Sequence, residues 1–268
     1  MTSIPIAESS ATRTATLAPR DRPLVRQISP RAADLAPTAP PAPEHNRILG
    51  ALGDDVIARV LPHAQLRSLG PRETLCLEDD AADVAYFPVT GMLSLLARAG
   101  EHPVEVATVG REGMFGNPFL FGSRTYGLRA VAPIRTTVLR LDASVARDLL
   151  TQHPAAAERA RRHAGVTVAQ LARAAACHHW HDVPGRCARW LLTTRERAGD
   201  YFTVTQELLA ELLGVRRASV NGASTRLHRA GAIDYSRGRV KIVDVGALEE
   251  SACSCHPQFR QELATLTA

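Results

Sequence analysis

The chain has 268 residues, of which 32 are lysine or arginine and 27 are aspartate or glutamate, so its formal net charge is only +5. This length favours two domains, and a hydrophobic fraction of 45% with a charged fraction of 22% excludes a wholly disordered or fibrous chain. The sequence shows no transmembrane run, no secretory signal and no disulfide framework among its five cysteines. We therefore expect a cytoplasmic protein without a membrane partner.

Residues 1–44 are rich in proline, alanine, serine and threonine and contain few large apolar side chains. Such a segment buries too little apolar surface to offset the entropy lost on ordering, so we predict a disordered tail. In residues 45–62 apolar side chains recur at helical spacing, and Asp54 is placed to cap the start of a helix.

Between residues 64 and 141 the pattern changes to short apolar stretches separated by glycine and proline turns. This spacing is typical of an all-β sandwich or roll. The predicted strands are residues 84–87, 92–97, 104–109, 128–132 and 136–141.

After Pro154 the chain runs to about residue 179 with no proline and one glycine, which predicts a long helix. A narrow stripe of small side chains along a helix is typical of the seam between two helices, and this helix exceeds the usual length within a domain. We predict a homodimer interface here, with packing against the chain's own domain as the alternative. The predicted seam positions are 157, 160, 164, 168, 171 and 175.

Residues 205–227 carry the clearest functional pattern, because Ala210, Gly214 and Val220 have the spacing of a helix-turn-helix. The alanine must be small where the second helix crosses the first. The glycine ends the first helix in a left-handed turn that a β-carbon would strain. The valine plugs the second helix into the core, so that the opposite face is presented to the DNA major groove.

Residues 183–200 are predicted to be helical, and residues 232–243 have the pattern of a β-hairpin whose basic side chains are typical of a wing along the DNA backbone. Arginine pairs with guanine edges and asparagine with adenine edges, whereas serine and threonine suit phosphate oxygens. We therefore predict binding to double-stranded DNA. The predicted contact residues are Arg216, Arg217, Ser219, Asn221, Thr225, Arg226, Arg237, Arg239 and Lys241.

These residues, with several stretches outside the helix-turn-helix, resemble the Crp/Fnr family of bacterial transcription regulators, over roughly residues 45–256. The matching stretches are 85–88 (Ala-Tyr-Phe-Pro), 91–94 (Gly-Met-Leu-Ser), 109–116 (Val-Gly-Arg-Glu-Gly-Met-Phe-Gly), 181–192 (His-Asp-Val-Pro-Gly-Arg-Cys-Ala-Arg-Trp-Leu-Leu), 237–238 (Arg-Gly) and 252–255 (Ala-Cys-Ser-Cys).

The resemblance implies an α+β chain in three parts after the tail. An N-terminal antiparallel, jelly-roll-like β-roll forms a cyclic-nucleotide-binding-like sensor over residues 45–150. A dimerisation helix and hinge follow over residues 151–182, and a winged helix-turn-helix over residues 183–268. It also implies a homodimer on a palindromic promoter site, allosteric control by the sensor, and RNA polymerase as a partner.

Two departures from the family pattern concern specificity. Family members often read bases with a Glu–Arg pair, and the corresponding places here are Ala218 and Gly222. Cyclic-AMP-binding members cradle the ribose and phosphate with a glutamate-containing glycine motif and a later Arg-Ser. A cyclic nucleotide is therefore one candidate ligand, but the motif that would bind it is incomplete here. A different ligand, or no ligand, is favoured. The counterparts of the cradle are Glu112, Gly113, Arg124 and Thr125.

Two separate groups of side chains have the chemistry to bind a metal. In the run 177–181, Cys177 and His181 have the i, i+4 spacing that allows chelation, but polar packing at the hinge is favoured. Cys253 and Cys255 are too close to form a zinc pair without help from His256 or elsewhere, and are expected at a surface terminus. We therefore predict no metal site.

An iron–sulfur cluster is not expected, because the β-roll offers only Cys76 and a cluster needs about four cysteines. No catalytic arrangement is found, so we predict that the chain is not an enzyme. The competing hypothesis is a ligand- or metal-binding, cupin-like β-roll whose C-terminal helices only mediate protein contacts. A metal-bearing cupin needs two or three histidines on strands, and His102 is the only one between residues 64 and 141.

Overall fold

The computed structural model describes residues 43–116 and 122–266. The tail predicted for residues 1–44 lies outside the described residues apart from its last two. Of the helices within the two described ranges, none offers the unbroken apolar length that a bilayer crossing requires.

The predicted β-roll is confirmed, and it consists of two antiparallel sheets. Its strands are β1 (Ala64–Leu69), β2 (Thr74–Cys76), β3 (Val84–Thr90), β4 (Leu93–Ala99), β5 (His102–Val109), β6 (Arg129–Val131) and β7 (Thr136–Asp142). The first sheet has the order β1-β7-β3 and the second the order β2-β6-β4-β5. Strand β3 is buried on both faces, because Tyr86 faces the core between the sheets while Ala85 and Phe87 face a layer of helices. This accounts for its continuous apolar sequence.

The helix predicted over residues 45–62 is shorter than its apolar pattern suggests. Helix α1 spans only Asp54–Val60, and short 3-10 turns lie before and after it. Gly53 has a φ of 77°, a left-handed conformation that interrupts any helix arriving from Leu49–Ala51. Asp54 is therefore the first helical residue, with Gly53 at the N-cap, and does not itself cap the helix.

Helix α2 (Ala143–Gln152) leads into the long helix α3 (Pro154–Trp180), which has 27 residues. Proline in the first turn costs no hydrogen bond there and fits the predicted start. The predicted seam is wrong at Ala160 and Ala164, because both side chains are buried within the chain itself. An exposed stripe of mostly small side chains includes the predicted positions Val168 and Ala175, together with Gly165, Ala172, Ala176 and His179.

The C-terminal part forms a winged helix-turn-helix. Its elements are α4 (Val183–Ala198), β8 (Tyr201–Thr203), α5 (Gln206–Leu213), α6 (Arg217–Arg229), β9 (Ile233–Ser236) and β10 (Arg239–Ile242). The predicted hairpin is present, but β8 adds a third strand, giving the order β8-β10-β9. The core joins Trp190 and Leu209 of this part to Met92 and Leu96 of the β-roll, so the two parts form one compact unit.

Two further helices follow the wing, α7 (Val245–Ser251) and α8 (Cys255–Thr265). Helix α8 packs on the long helix α3, where Arg173 bonds to Gln258 and pairs with Glu262. The expectation of a surface terminus at Cys253 and Cys255 is therefore wrong, since these side chains are only 8% and 6% exposed.

Candidate nucleic-acid interface

The first helix of the helix-turn-helix, α5, begins and ends where its sequence requires. The Thr205 hydroxyl accepts a hydrogen bond from the Leu208 N–H at 3.1 Å, which caps the helix start. Gly214 ends it with φ 63° and ψ 40°, the left-handed turn predicted from the sequence. A β-carbon on Gly214 would also come within 2.9 Å of a Val104 methyl group, so the glycine lets the turn approach β5.

The second helix, α6, is held by one buried face. Val220 is 0% exposed and lies in a cluster with Leu209 and Leu212, and Ala210 beside them is 5% exposed. Burial of a valine side chain contributes about 1.5–3 kcal/mol, enough to fix the rotation of a short helix. The opposite face of α6 therefore points to solvent.

All nine residues predicted to contact DNA are exposed. The side chain of Gln206 donates a hydrogen bond to Asn221 Oδ1 at 3.3 Å, which orients that amide. Arg226 lies 3.6 Å from Asp182, which caps the start of α4. Both partners of that pair are largely exposed, and such a pair is exchanged for a phosphate contact at little cost.

The wing is a tight hairpin whose tip is fixed in place. Arg237 and Gly238 have φ values of 51° and 77°, and positive φ at both central residues is the signature of a type I′ turn. The Val204 N–H donates to the Gly238 carbonyl oxygen at 2.8 Å, and the Tyr235 hydroxyl donates to the Val204 carbonyl oxygen at 2.8 Å. The tip is thereby joined to the segment before α5.

An open cleft separates the start of α5, the start of α6 and the wing. Its shape and charge suit a DNA phosphate, because two guanidinium groups border it beside a helix N-terminus. Residues 203–241 contain seven basic and three acidic residues, a local formal charge of +4. The cleft is lined by Thr205, Gln206, Arg217, Tyr235, Arg237 and Gly238.

The four candidate effector residues have different surroundings. Glu112 is buried, with its carboxylate paired to Arg197 of α4 and accepting the Gly110 N–H at 2.9 Å. A β-carbon on Gly113 would come within 1.9 Å of His163 Nε2, so this glycine is a close packing contact with α3. Arg124 and Thr125, by contrast, are exposed. The carboxylate of Glu112 is therefore already engaged within the chain.

The electrostatics of Glu112 follow from its burial and its partner. Burial alone raises the pKa of a carboxyl group, but the charge and hydrogen bond of Arg197 outweigh it and lower the pKa to about 2. Nearby His163 is fully buried, and burial lowers its pKa to about 4, so its ring is neutral.

A buried polar contact between the β-roll and the DNA-binding part was missed by the sequence reasoning. Trp190 of α4 donates its indole N–H to Glu105 of β5 at 3.1 Å, and Ser94 donates its hydroxyl to the same oxygen. Burial raises the pKa of Glu105. The Thr108 N–H donates to Gln170 of α3 at 2.9 Å, so β5 contacts both following parts of the chain. A buried glutamate in a strand facing a tryptophan 85 residues later has no local sequence signal.

Two family models match the chain. A cyclic nucleotide-binding domain matches residues 66–153, and a Crp-like helix-turn-helix domain matches residues 185–251. The chain is also 26% identical, over 190 residues, to a CRP-like cAMP-activated global transcriptional regulator of Mycobacterium tuberculosis, covering 67% of this chain and 84% of the relative.

Solved structures show the same fold at low identity. FixK2 from Bradyrhizobium japonicum superposes with a TM-score of 0.60 at 18% identity, covering 71% of this chain and 98% of that one. A transcriptional regulator of the CRP family from Thermus thermophilus superposes with a TM-score of 0.58 at 22% identity, covering 69% and 96%.

Proposed function

Because the chain belongs to the Crp/Fnr family of transcription regulators, we propose that it acts as a homodimer that binds a palindromic promoter site under the control of its β-roll. The observation that carries this proposal is the exposed face of α6, held outward by the buried Val220 and flanked by a basic wing. Two such faces, one from each protomer, bind successive major grooves about 34 Å apart.

The exposed stripe on α3 supports the homodimer. Gly165, Val168, Ala172, Ala175 and His179 follow steps of three and four, the spacing of a seam between two helices. Val168 is 65% exposed, which is unusual for a valine in the middle of a long helix. A second copy of α3 buries this stripe.

Base recognition in this proposal rests on Arg217, Arg216 and Asn221. Ala218 and Gly222 are exposed but carry no group that pairs with a base, so the half-site differs from that of members with a Glu–Arg pair. The wing residues Arg239 and Lys241 contact phosphates and fix the register.

Control by the β-roll requires that a signal changes the relative free energies of two dimer arrangements. The contacts Trp190–Glu105 and Arg197–Glu112 join α4 to the β-roll, and a ligand that moves β5 acts on α4 through them. A cyclic nucleotide is one candidate, supported by the matched domain and by the cAMP-activated relative. The exposed Arg124 is the residue available for its phosphate, and RNA polymerase is the proposed partner on the promoter.

The test is selection of bound sites from random double-stranded DNA by the full chain, followed by affinity measurements over a range of salt concentrations. We expect a palindrome whose affinity falls steeply as salt rises. Arg217→Ala should cost about 1–3 kcal/mol and relax the preference at one base pair, whereas Lys241→Ala should weaken all sequences alike and reduce the salt slope by about 1.

Two results would contradict parts of this proposal. Unchanged affinity and preference in Arg217→Ala would remove its base-reading role. If the chain retains no DNA even at low salt, the regulator proposal fails, and the cupin-like hypothesis regains support.

A further inference from the structure

Four metal-ligating side chains from two distant parts of the chain converge beside the hinge. Cys177 and His181 lie at the end of α3, Cys253 lies between α7 and α8, and Cys255 is the first residue of α8. One ligand atom from each residue lies within 4.8 Å of every other. The three cysteines are buried, and all are free thiols.

The distances within this group fit a tetrahedral metal site. With Zn–S bonds of about 2.3 Å, two sulfur ligands at the corners of a tetrahedron lie about 3.8 Å apart, and a sulfur and a nitrogen lie slightly closer. Cys177 Sγ and Cys253 Sγ are 3.7 Å apart, and Cys255 Sγ and His181 Nδ1 are 3.5 Å apart. Two sulfurs at that separation are too far apart to be bonded, since a disulfide needs about 2.05 Å.

The surroundings of His181 select the ligand nitrogen. Ser254 Oγ lies 3.2 Å from His181 Nε2 and can accept a hydrogen bond from it, and in that tautomer the Nδ1 lone pair faces the cysteines. A second partner of this kind orients the histidine in most protein metal sites.

The charges are also balanced. Arg189 of α4 lines the same small cavity as Cys177 and Cys255, so its positive charge lies close to the cysteines. Three thiolates with one divalent ion carry a net charge of −1, which the guanidinium group of Arg189 offsets.

We propose that Cys177, His181, Cys253 and Cys255 bind one zinc ion in a closed Cys₃His site. Thiolate ligands select zinc over the hard cations magnesium and calcium, and four protein ligands leave no open position for catalysis. In the sequence the two groups are far apart, and only His256 is a further ligand close to Cys253 and Cys255. In the fold, Cys177 and His181 at the end of α3 supply the other two ligands.

The site joins the end of α3 to the segment that contains Cys253 and Cys255. The Cys253 N–H donates to the Gly185 carbonyl oxygen at 3.1 Å, so the C-terminal segment already touches the first turn of α4. The metal adds covalent-strength bonds from this segment to the end of α3. It thereby restrains the hinge between the long helix and the DNA-binding part, and this inference does not depend on which DNA is bound.

The test uses the full chain, purified under reducing conditions and freed of any histidine tag. We expect about one equivalent of zinc per chain. After removal of zinc, titration with Co²⁺ should give the intense visible absorption of tetrahedral cobalt with thiolate-to-metal charge-transfer bands. Zinc should protect three thiols from alkylation, leaving Cys76 and Cys187 reacting as in the metal-free chain.

Matched variants locate the site. His181→Ala and Cys255→Ser should lose the cobalt spectrum or shift it to that of a lower ligand number. His179→Ala, an exposed histidine two residues away, and Cys76→Ser should retain it. The titration of the wild-type chain tests the proposal whether or not any of the variants folds.

Three outcomes would overturn the proposal. One is a wild-type chain that gives no tetrahedral cobalt spectrum, and another is a spectrum that survives in both His181→Ala and Cys255→Ser. The third is a Cys177–Cys253 disulfide that mass spectrometry detects despite the reducing conditions, which would assign the group to redox chemistry instead.

Discussion

Glu112 and Arg197 form an ion pair that is almost completely removed from solvent, with side-chain exposures of 8% and 4%. A buried pair of this kind adds little over an apolar contact, but the loss of one partner leaves an uncompensated buried charge. The pair lies between the β-roll and the end of α4, so its integrity affects the contact between the β-roll and the helix-turn-helix part.

We expect Glu112→Gln to lower the free energy of unfolding at neutral pH by about 3–5 kcal/mol. The pKa of Glu112 is lowered from 4.5 to about 2, so its stabilising contribution is present above pH 4.5 and is lost as the pH falls towards 2. A pKa shift of that size corresponds to a pH-dependent contribution of about 3 kcal/mol to the free energy of unfolding.

Denaturant unfolding of both chains from neutral to acidic pH checks this expectation. The difference between them should shrink as the pH falls through that range. Glu158→Gln, at an exposed pair with Arg161 and Arg162, is the matched control and should leave the unfolding curve unchanged. A constant difference between wild type and Glu112→Gln at all pH values would contradict the assignment.

At the scale of elements, the exposed stripe on α3 is the surface of this helix whose exposure is not explained by packing within a single chain. Val168→Glu places a charge at its centre. We expect the variant to sediment as a monomer and to lose most of its affinity for a palindromic site, since each half-site is then bound separately. Ala155→Glu, at another exposed position of the same helix, should remain dimeric. A Val168→Glu chain that is still dimeric would place the interface elsewhere.

Local patterns predicted the elements whose determinants lie close together in the sequence. The helix-turn-helix was predictable because Gly214 and Val220 act within one or two turns of their own positions. Strands β3 to β7 of the β-roll were predictable from turns at short intervals, whereas β1 and β2 were not predicted. The seam predicted on α3 was wrong at Ala160, because the burial of this residue depends on α2 packing against α3.

Features that depend on distant partners could not be predicted in the same way. Strand β8 is three residues long and is defined by pairing with β10, nearly forty residues later. Cys177 and Cys253 are 76 residues apart, and no local spacing brings them together. Gly113 has the sequence context of a ligand cradle, but the fold uses its missing β-carbon to admit the ring of His163.

At the scale of the whole molecule, the β-roll and the DNA-binding part share one hydrophobic core. Met92, Leu96, Val131 and Ile134 of the β-roll lie in the same cluster as the helix-turn-helix residues. The buried hydrogen bond from Trp190 to Glu105 adds direction to this contact, because a hydrogen bond to a buried acceptor tolerates little rotation. The orientation of α6 is thereby tied to β5.

Trp190→Phe keeps an aromatic ring in the shared core and removes only the indole N–H and part of its volume. We expect this variant to bind DNA about fivefold to tenfold more weakly, because a lost buried hydrogen bond of about 1 kcal/mol leaves the two recognition helices less well oriented. Trp180→Phe is the matched control, since that indole is 78% exposed and should leave affinity unchanged. The measurement is a binding titration on the selected palindrome, with unfolding curves to confirm that both variants are folded. Equal affinity in folded Trp190→Phe would mean that the shared core alone sets the orientation of α6, and that Glu105 does not transmit a signal to the DNA.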